Sequence, residues 1–299
     1  MRVFVTGATG FIGSAVVREL IGAGHRVVGL ARSDSSAAAL SAAGAGVHRG
    51  DLGDLGTLRA GAGTADGVVH LAYRHDLMYA SELELAGEVD LRAVQAIGAA
   101  LGGTGKPFAV ASGTVAAPAD RPATEDDPPA AASHRTPAED ATIALAERGV
   151  RSSVVRLPSS VHGPDDAGGF VPALIRIARE KGVAAYVGDG ANRWPAVHRL
   201  DAACLFRLAL ESAPAGTRLH AVADEGVPLR DIAGVIGRRL KLPVAAIPAE
   251  EKEGHFGFLS PFASADCPAS SESTRKLLGW EPAGPGLIPD LEDGHYFTG

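Results

Sequence analysis

Short apolar runs alternate with longer segments of helical periodicity through the first half of the chain. Strand candidates lie at residues 2–6, 25–31, 46–50, 66–72, 107–112 and 151–158. Helix candidates lie at residues 11–23, in the alanine-rich segment after residue 31, at 84–101 and at 138–148. Strands that are joined by helices of about ten or more residues run parallel, because each helix crosses back over the sheet. The pattern therefore predicts an α/β fold with a Rossmann-type doubly wound parallel sheet.

The alternation weakens after Pro158, where glycine and proline cluster at residues 162–169, 188–190 and 279–286. Such clusters interrupt both helices and strands. We therefore expect a smaller, irregular C-terminal substrate lobe. The predicted dinucleotide-binding domain comprises residues 1–157 and about 195–225, and the predicted lobe comprises residues 158–194 and 226–299.

The segment 118–137 is rich in proline, alanine and acidic residues. Proline removes backbone hydrogen-bond donors and opposes both helix and sheet, so this segment is predicted to be a long surface loop. Two interpretations remain open: a loop that lies over a substrate opening, and a disordered insertion.

Three glycines, Gly7, Gly10 and Gly13, stand between the first strand candidate and the first helix candidate. Gly7 suits the tight turn, Gly10 lets the backbone approach a pyrophosphate, and Gly13 allows the helix to pack closely on the strand. The amides at the helix N-terminus then face the phosphates. The GxxGxxG spacing, in this strand-to-helix context, predicts a dinucleotide site.

The end of the second strand candidate bears on the choice of dinucleotide. An acidic residue at this point commonly holds the ribose 2′-hydroxyl of NAD. This chain has Arg32 and Ser33 there, and a guanidinium beside a hydroxyl suits a 2′-phosphate. We expect NADP(H) to be preferred, with NAD(H) as the alternative if Asp34 turns toward the ribose.

The amino-acid composition indicates which kinds of binding partner are unfavourable. Of 299 residues, 46% are hydrophobic and 21% are charged, as in ordinary globular proteins. A net charge of −7 disfavours nucleic-acid binding, and no apolar stretch reaches the ~20 residues that span a membrane. Cys204 and Cys267 are far apart and lack a neighbouring metal-ligand pattern, so we expect no disulfide, no metal site and a cytoplasmic location. No secretory leader is indicated after Met1.

Six motifs, in this order, resemble those of the extended short-chain dehydrogenase/reductase superfamily, and in particular its group of NAD-dependent epimerases and dehydratases. They are TGATGFIG at 6–13, GDLGDL at 50–55, VVHLAY at 68–73, VASGTV at 110–115, RLPSSVHGP at 156–164 and LLGWEP at 277–282. The resemblance covers nearly the whole chain and implies a cofactor site, a small-molecule substrate and an oxidoreductase chemistry.

The resemblance also implies a role for each matching residue. The pyrophosphate would be held by Gly7, Thr9, Gly10, Phe11, Ile12 and Gly13. The adenine would lie between Asp51 and Leu52, the ribose and nicotinamide above Leu71, Ala72 and Tyr73, and the carboxamide near Pro158. Ser112 would hydrogen-bond the substrate oxygen as the catalytic Ser/Thr. The helices at 84–101 and 138–148 would pair with those of a second copy in a homodimer.

The family's proton relay is missing from this chain. The resemblance implies a Tyr, and a Lys four residues later, on the helix after the strand at 107–112, where the Lys helps to lower the pKa of the phenol for acid–base work. Here no Tyr lies between Tyr79 and Tyr186, and no Lys lies between Lys106 and Lys181. Any proton transfer must use another group.

Tyr73 and His162 are the first candidates for that group, with water as a third. His75, Tyr79 and His134 are further candidates. Tyr73 follows a strand candidate at the edge where open parallel sheets bind ligands, although a packing tyrosine has the same pattern. His162 lies where the family often has a substrate-facing Tyr, and an imidazole exchanges protons near neutral pH. A loop histidine bonded to backbone explains His162 equally well.

The sequence thus predicts an atypical NADP(H)-dependent oxidoreductase that acts on a small carbonyl or alcohol through a non-standard proton donor. Two alternatives stay open. One is a non-catalytic protein that binds NADP(H) and senses its redox state. The other is an epimerase or dehydratase that retains its cofactor.

Overall fold

Seven parallel strands form the central sheet of the computed structural model, which describes residues 1–80, 82–114, 118, 120–129 and 133–298. The strands of the chain are β1 (Arg2–Thr6), β2 (Arg26–Ala31), β3 (Gly46–Arg49), β4 (Gly67–His70), β5 (Pro107–Gly113), β6 (Arg151–Leu157), β7 (Ser160–His162), β8 (Ala184–Val187), β9 (Arg193–His198), β10 (Thr217–His220), β11 (Asp224–Pro228) and β12 (Val244–Ile247). The central sheet has the order β10-β6-β5-β4-β1-β2-β3. The predicted doubly wound sheet is therefore confirmed, and the strand order reverses between β1 and β4.

Helices cover both faces of this sheet, with α1 and α8 on one face and α3 and α5 on the other. The helices of the described chain are α1 (Phe11–Gly22), α2 (Asp34–Ala42), α3 (Leu55–Gly63), α4 (His75–Tyr79), α5 (Leu83–Leu101), α6 (Thr136–Ala144), α7 (Phe170–Lys181), α8 (Arg199–Ser212), α9 (Leu229–Leu240), α10 (Lys252–Phe256), α11 (Ser260–Ala263), α12 (Glu272–Leu278) and α13 (Leu287–Asp293). Within the described ranges, no helix is long and apolar enough to cross a membrane.

The two faces of the sheet build two separate cores. Along β1, Val3 and Val5 face one side and pack in a cluster with α1 and α8, whereas Phe4 faces the other side and packs with α3 and α5. This alternation follows from the two-residue repeat of a strand. Because both faces are covered, the strands are apolar at successive positions, which is the pattern that predicted them.

The C-terminal lobe has a core of its own, made by a three-stranded sheet (β11-β9-β7), a two-stranded sheet (β12-β8) and helices that include α7 and α9. Trp194 on β9 is fully buried in it. Trp280, from the segment assigned to the lobe by sequence, packs instead into the core of the first domain, and its indole N–H donates to the Asp201 carbonyl at 3.0 Å. The chain therefore returns to the first domain near its C-terminal end.

The proline-rich segment is partly described, and residues 115–117, 119 and 130–132 lie outside the described residues. Ala123 is fully buried and forms a strand-like bridge with Ala269. The Glu125 carboxylate accepts hydrogen bonds from the backbone N–H and hydroxyl of Thr274, at 2.8 and 2.6 Å. This part of the segment is therefore fixed against α12 and is not a free loop.

Helices α5 and α6 pack against each other on one face of the sheet. The resemblance implies that these two helices form the interface of a homodimer. The solvent side of α5 carries the exposed ion pair between Glu88 and Arg92. The homodimer stays a prediction.

A buried ion cluster joins β6, α6 and β10. Arg156 has no exposed surface and donates to Glu139, with Nη2 at 2.6 Å from Oε1. Arg218 Nε donates to the same oxygen at 2.8 Å. Burial acts to raise the pKa of Glu139, but the hydrogen bonds and charge of Arg156, together with hydrogen bonds from Arg218 and Ser112, outweigh it and lower the pKa. The charged carboxylate thus holds two strands and a helix together.

Replacing Glu139 with Gln should destabilise the fold by about 3–5 kcal/mol, because it leaves the buried Arg156 charge uncompensated. The matched control is Glu272→Gln, which removes a carboxylate from an exposed pair with Lys276 and should change stability very little. Urea unfolding of both variants measures the difference.

The pKa of Glu139 is lower in the folded state than in the unfolded state. Its contribution to the free energy of unfolding should therefore be complete above the ordinary glutamate pKa and should be lost as the pH falls through the folded-state pKa. Equal stability of the two variants would contradict this role.

Candidate active site

A cleft of about 320 Å³ opens at the carboxyl ends of β1, β2, β3 and β4. Ligands of open parallel sheets bind at this edge, where the strand order reverses. The predicted residues that line it are Gly7, Thr9, Gly10, Arg32, Asp51, Leu52, Leu71, Ala72 and Tyr73. His75, a further candidate for proton transfer, also lines it. The lining residues that the sequence did not indicate are Leu30, Ser36, Gly50, Arg74 and Asp76.

The glycine loop is shaped by close approaches of backbone to backbone. Gly7 has φ of +67°, and a Cβ there would lie 2.7 Å from the amide nitrogen of Ala72. A Cβ on Gly13 would lie 2.0 Å from the carbonyl oxygen of Gly7, so only glycine lets α1 rest on the turn. Gly10 is the N-cap of α1 and makes no side-chain cap. The first amides of α1 therefore remain available to an anion in front of the helix.

Three other predicted pyrophosphate residues, Phe11, Ile12 and Gly13, form the first turn of α1 and do not line the cleft. The Phe11 ring lies under the guanidinium of Arg199, with 5.0 Å from Cζ to the ring centroid. Ile12 packs against the apolar core. If this turn binds a pyrophosphate, it would do so through its backbone amides and not through its side chains.

At the other end of the cleft, an unpaired cation faces small hydroxyl side chains. Arg32 is exposed and makes no ion pair with any described residue. The Ser33 hydroxyl caps α2 by accepting from the Ser36 amide at 3.1 Å, and it is Ser36 that lines the cleft. The nearby Asp34 is paired with Arg49 at 2.6 Å. Among the described residues, Arg32 is thus a cation without an ion-pair partner at this end of the cleft.

Tyr73 forms part of the cleft wall just beyond β4. Its hydroxyl is buried and has no hydrogen-bond partner among the described residues. Arg135 stacks on its ring, with Cζ 4.3 Å from the ring centroid, and the rings of His75 and His134 lie 5.4 and 6.0 Å away. Burial raises the pKa of the phenol to about 12, although the Arg135 charge acts to lower it. Tyr73 is thus a protonated donor at neutral pH.

A buried polar chain leads from β1 to Arg135. The Thr6 hydroxyl oxygen accepts from the amides of Leu71 and Ala72, at 3.3 and 3.2 Å, and lies 2.7 Å from His70 Nδ1. Because Thr6 already accepts twice, it donates its own proton to Nδ1, and His70 Nε2–H then donates to Asp90 at 3.1 Å.

The same carboxylate faces Arg135. Its second oxygen lies 3.5 Å from Arg135 Nη2, which also donates to the Ala111 carbonyl at 2.6 Å. Burial acts to raise the pKa of Asp90, but the Arg135 charge and the His70 hydrogen bond outweigh it and lower the pKa. Asp90 is therefore ionised, and it fixes the cation that covers Tyr73.

Ser112 and His162 do not line the cleft. Ser112 is 8% exposed at the end of β5, and its hydroxyl bonds to Glu139. His162 is fully buried, and its Nδ1 lies 2.8 Å from Asp290 Oδ2 on α13. The catalytic roles of Ser112 and His162 stay predictions. Pro158 is buried directly after β6 and is also absent from the lining.

Sequence reasoning missed Arg135 and Asp90. Arg135 lies just before the helix on which the family has its Tyr and Lys, and an arginine is not part of that pattern. Asp90 could not be recognised as a buried residue because a single acid on a long helix resembles a solvent-facing residue. One signal was available: Asp90 lies on the same helical face as the buried Ala86, Ala93 and Val94.

Known proteins match this chain along its length. The NAD dependent epimerase/dehydratase family matches residues 3–222, and the chain belongs to that family. An uncharacterized protein of Schizosaccharomyces pombe is 49% identical over 299 residues, which cover 99% of this chain and 100% of the relative. An uncharacterized protein of Saccharomyces cerevisiae is 47% identical over 295 residues, which cover 97% of this chain and 98% of the relative.

Solved structures share the fold. A double mutant of DesIV, the dTDP-glucose 4,6-dehydratase of Streptomyces venezuelae, with NAD bound, superposes with a TM-score of 0.79 at 21% identity, covering 99% of this chain and 96% of that chain. The UDP-glucose 4-epimerase of Thermus thermophilus, in complex with NAD, superposes with a TM-score of 0.76 at 22% identity, covering 100% of both chains.

The contact of α1 with the glycine loop can be tested by one substitution. Gly13→Ala should destabilise the protein by about 1–3 kcal/mol, because the added methyl group collides with the Gly7 carbonyl. Gly22→Ala is the control: it lies on the same helix, has nothing within 4 Å of the added Cβ, and should leave stability unchanged or slightly raised. Thermal and urea unfolding compare them. If Gly13→Ala proved as stable as Gly22→Ala, the close packing would be refuted.

Proposed function

We propose that this protein is an NADP(H)-dependent oxidoreductase that reduces a small carbonyl compound, or oxidises the matching alcohol, with Tyr73 as the proton donor or acceptor. The observation that carries the proposal is the buried, unpartnered Tyr73 hydroxyl beside a cleft built for a dinucleotide. An unsatisfied buried hydroxyl costs about 1–3 kcal/mol, so a ligand that accepts from it recovers that free energy.

The residues present fit a nicotinamide dinucleotide. An added Cβ would lie 2.7 Å from the Ala72 amide nitrogen at Gly7 and 3.3 Å from the Gly7 carbonyl oxygen at Gly10, so the loop at the N-terminus of α1 favours glycine. Two neighbours in fold, the dehydratase and the epimerase named above, hold NAD. The family and these neighbours support a nicotinamide cofactor, and the charge at Arg32 supports the phosphorylated form.

Different residues of the chain would bind the cofactor and transfer the proton. Arg32 and Ser36 would bind a 2′-phosphate, and the glycine loop with the first turn of α1 would bind the pyrophosphate. The nicotinamide supplies the hydride acceptor or donor. Tyr73 gives its proton to the carbonyl oxygen while a hydride adds to the carbonyl carbon, so the net change is one hydride and one proton across the C=O bond. Leu71 and Ala72 form an apolar wall beside this position.

Arg32→Gln should weaken NADPH binding by about ten- to a hundredfold, because a hydrogen bond to a charged group contributes ~1.5–3 kcal/mol. NADH binding should change little, since NADH lacks the 2′-phosphate. Arg26→Gln is the matched control, because Arg26 is an exposed arginine at the opposite end of the same strand. Calorimetry with both dinucleotides measures the effect. Equal losses for NADPH and NADH would rule out a phosphate contact by Arg32.

Tyr73→Phe should reduce carbonyl turnover about 10²- to 10⁴-fold while the protein still binds NADPH, because the phenol proton is lost and the ring is kept. Tyr186→Phe removes a phenol from β8 in the lobe and should leave turnover unchanged. NADPH consumption with a panel of small aldehydes and ketones measures both variants.

Two results of that assay would favour the other hypotheses. Tight NADPH binding without turnover of any panel member would indicate a redox sensor. Cofactor that stays bound through purification, and is released only on denaturation, would indicate an epimerase or dehydratase.

A further inference from the structure

Contacts with three neighbouring elements hold Arg135 in place. It is the N-cap residue of α6, its Nη2 donates to Ala111 at the end of β5, and its charge faces Asp90 on α5. Its Nε atom is buried and has no partner among the described residues. Three elements thus hold the guanidinium over the Tyr73 ring.

The backbone beside Arg135 is packed against α5 without space between them. A Cβ on Gly87 would lie 2.2 Å from the carbonyl oxygen of His134. Gly87 therefore lets the start of α6 approach α5, and this approach brings the Arg135 guanidinium within reach of Asp90. The position of Arg135 does not depend on Tyr73, so the cation is in place before the phenol acts.

We infer that Arg135 is the positioning residue for Tyr73, fixing the phenol ring by cation–π stacking and stabilising the phenolate that remains after the proton has moved to the substrate oxygen. This inference rests on the proposed function, and it assigns to an arginine the place that a lysine fills in the family. A guanidinium over a tyrosine ring is held by the ring quadrupole. Solvent then returns a proton to the phenolate.

The groups that face the phenol come from three elements. Arg135 precedes α6, Asp90 lies on α5, His75 begins α4, and His134 adjoins Arg135. Burial, followed by the Arg135 charge, lowers the pKa of both His75 and His134, so both rings are neutral near pH 7. Asp90 acts against phenolate formation. Arg135 is therefore the cation that opposes Asp90 at this phenol.

A spectroscopic titration tests this role without turnover. The full-length protein carries 2,3,5-trifluorotyrosine at position 73, whose more acidic phenol ionises in a pH range that leaves the protein folded, and its absorbance is followed against pH. Arg135→Gln should raise the pKa of this phenol by about 1 unit or more, because an attractive charge has been removed. Arg135→Lys should recover most of the shift.

Arg92→Gln is the control, because Arg92 is an exposed arginine on α5, two residues from Asp90, and pairs with Glu88. It should leave the phenol pKa within a few tenths of a unit. If Arg135→Gln is folded by circular dichroism and the phenol titrates as in the parent, Arg135 is a structural residue and the inference is overturned. A clear shift without carbonyl turnover in the parent would leave the electrostatic link intact and would refute the proposed function instead.

Discussion

The site depends on one buried carboxylate. Asp90 is 1% exposed, and a charge so far from water is tolerated only when it is paired and hydrogen-bonded. His70 donates a hydrogen bond to one oxygen of Asp90, and Arg135 places its positive charge 3.5 Å from the other oxygen, which has no hydrogen-bond partner among the described residues. His70 is held in turn by Thr6 on β1, and Arg135 by Ala111 on β5. One charge thus connects β1, β4 and β5, near the reversal of the strand order, with the start of α6. Tyr73 lies beside this network, under the Arg135 guanidinium.

A second constraint acts on the phosphate end of the cleft. Gly7 and Gly13 permit contacts between backbones that no side chain would allow, so the loop, the end of β4 and α1 form one unit. Thr6 belongs to both arrangements, because its hydroxyl accepts from the amides that follow β4 and also contacts His70. The glycine loop and Tyr73 therefore share a rigid support, and the proposed transfer of a hydride and a proton to one substrate requires such a support.

Local patterns predicted most of the fold, and they predicted the half of the site that consists of backbone. Short apolar runs identified β1–β6, helical periodicity identified α1, α2, α5 and α6, and the glycine spacing identified the turn into α1. The helix α3 and the seventh strand of the sheet, β10, were not predicted. Side-chain roles were harder to predict, because they depend on partners that are distant in sequence. The partner of His162, Asp290, lies 128 residues away on α13, and the partner of Ser112, Glu139, lies on α6, so neither contact could be predicted from the local sequence. Arg135 lies inside the proline-rich segment 118–137, where a cation is usually solvated.

The most direct test of this account is a crystal structure of the protein grown with NADPH and a carbonyl inhibitor. The account predicts the 2′-phosphate beside Arg32 and Ser36, and the Tyr73 hydroxyl within about 2.6–3.2 Å of the inhibitor oxygen, the range of a proton-donating hydrogen bond. A nicotinamide ring that lay away from Tyr73, with another side chain of the protein touching the inhibitor oxygen, would contradict it.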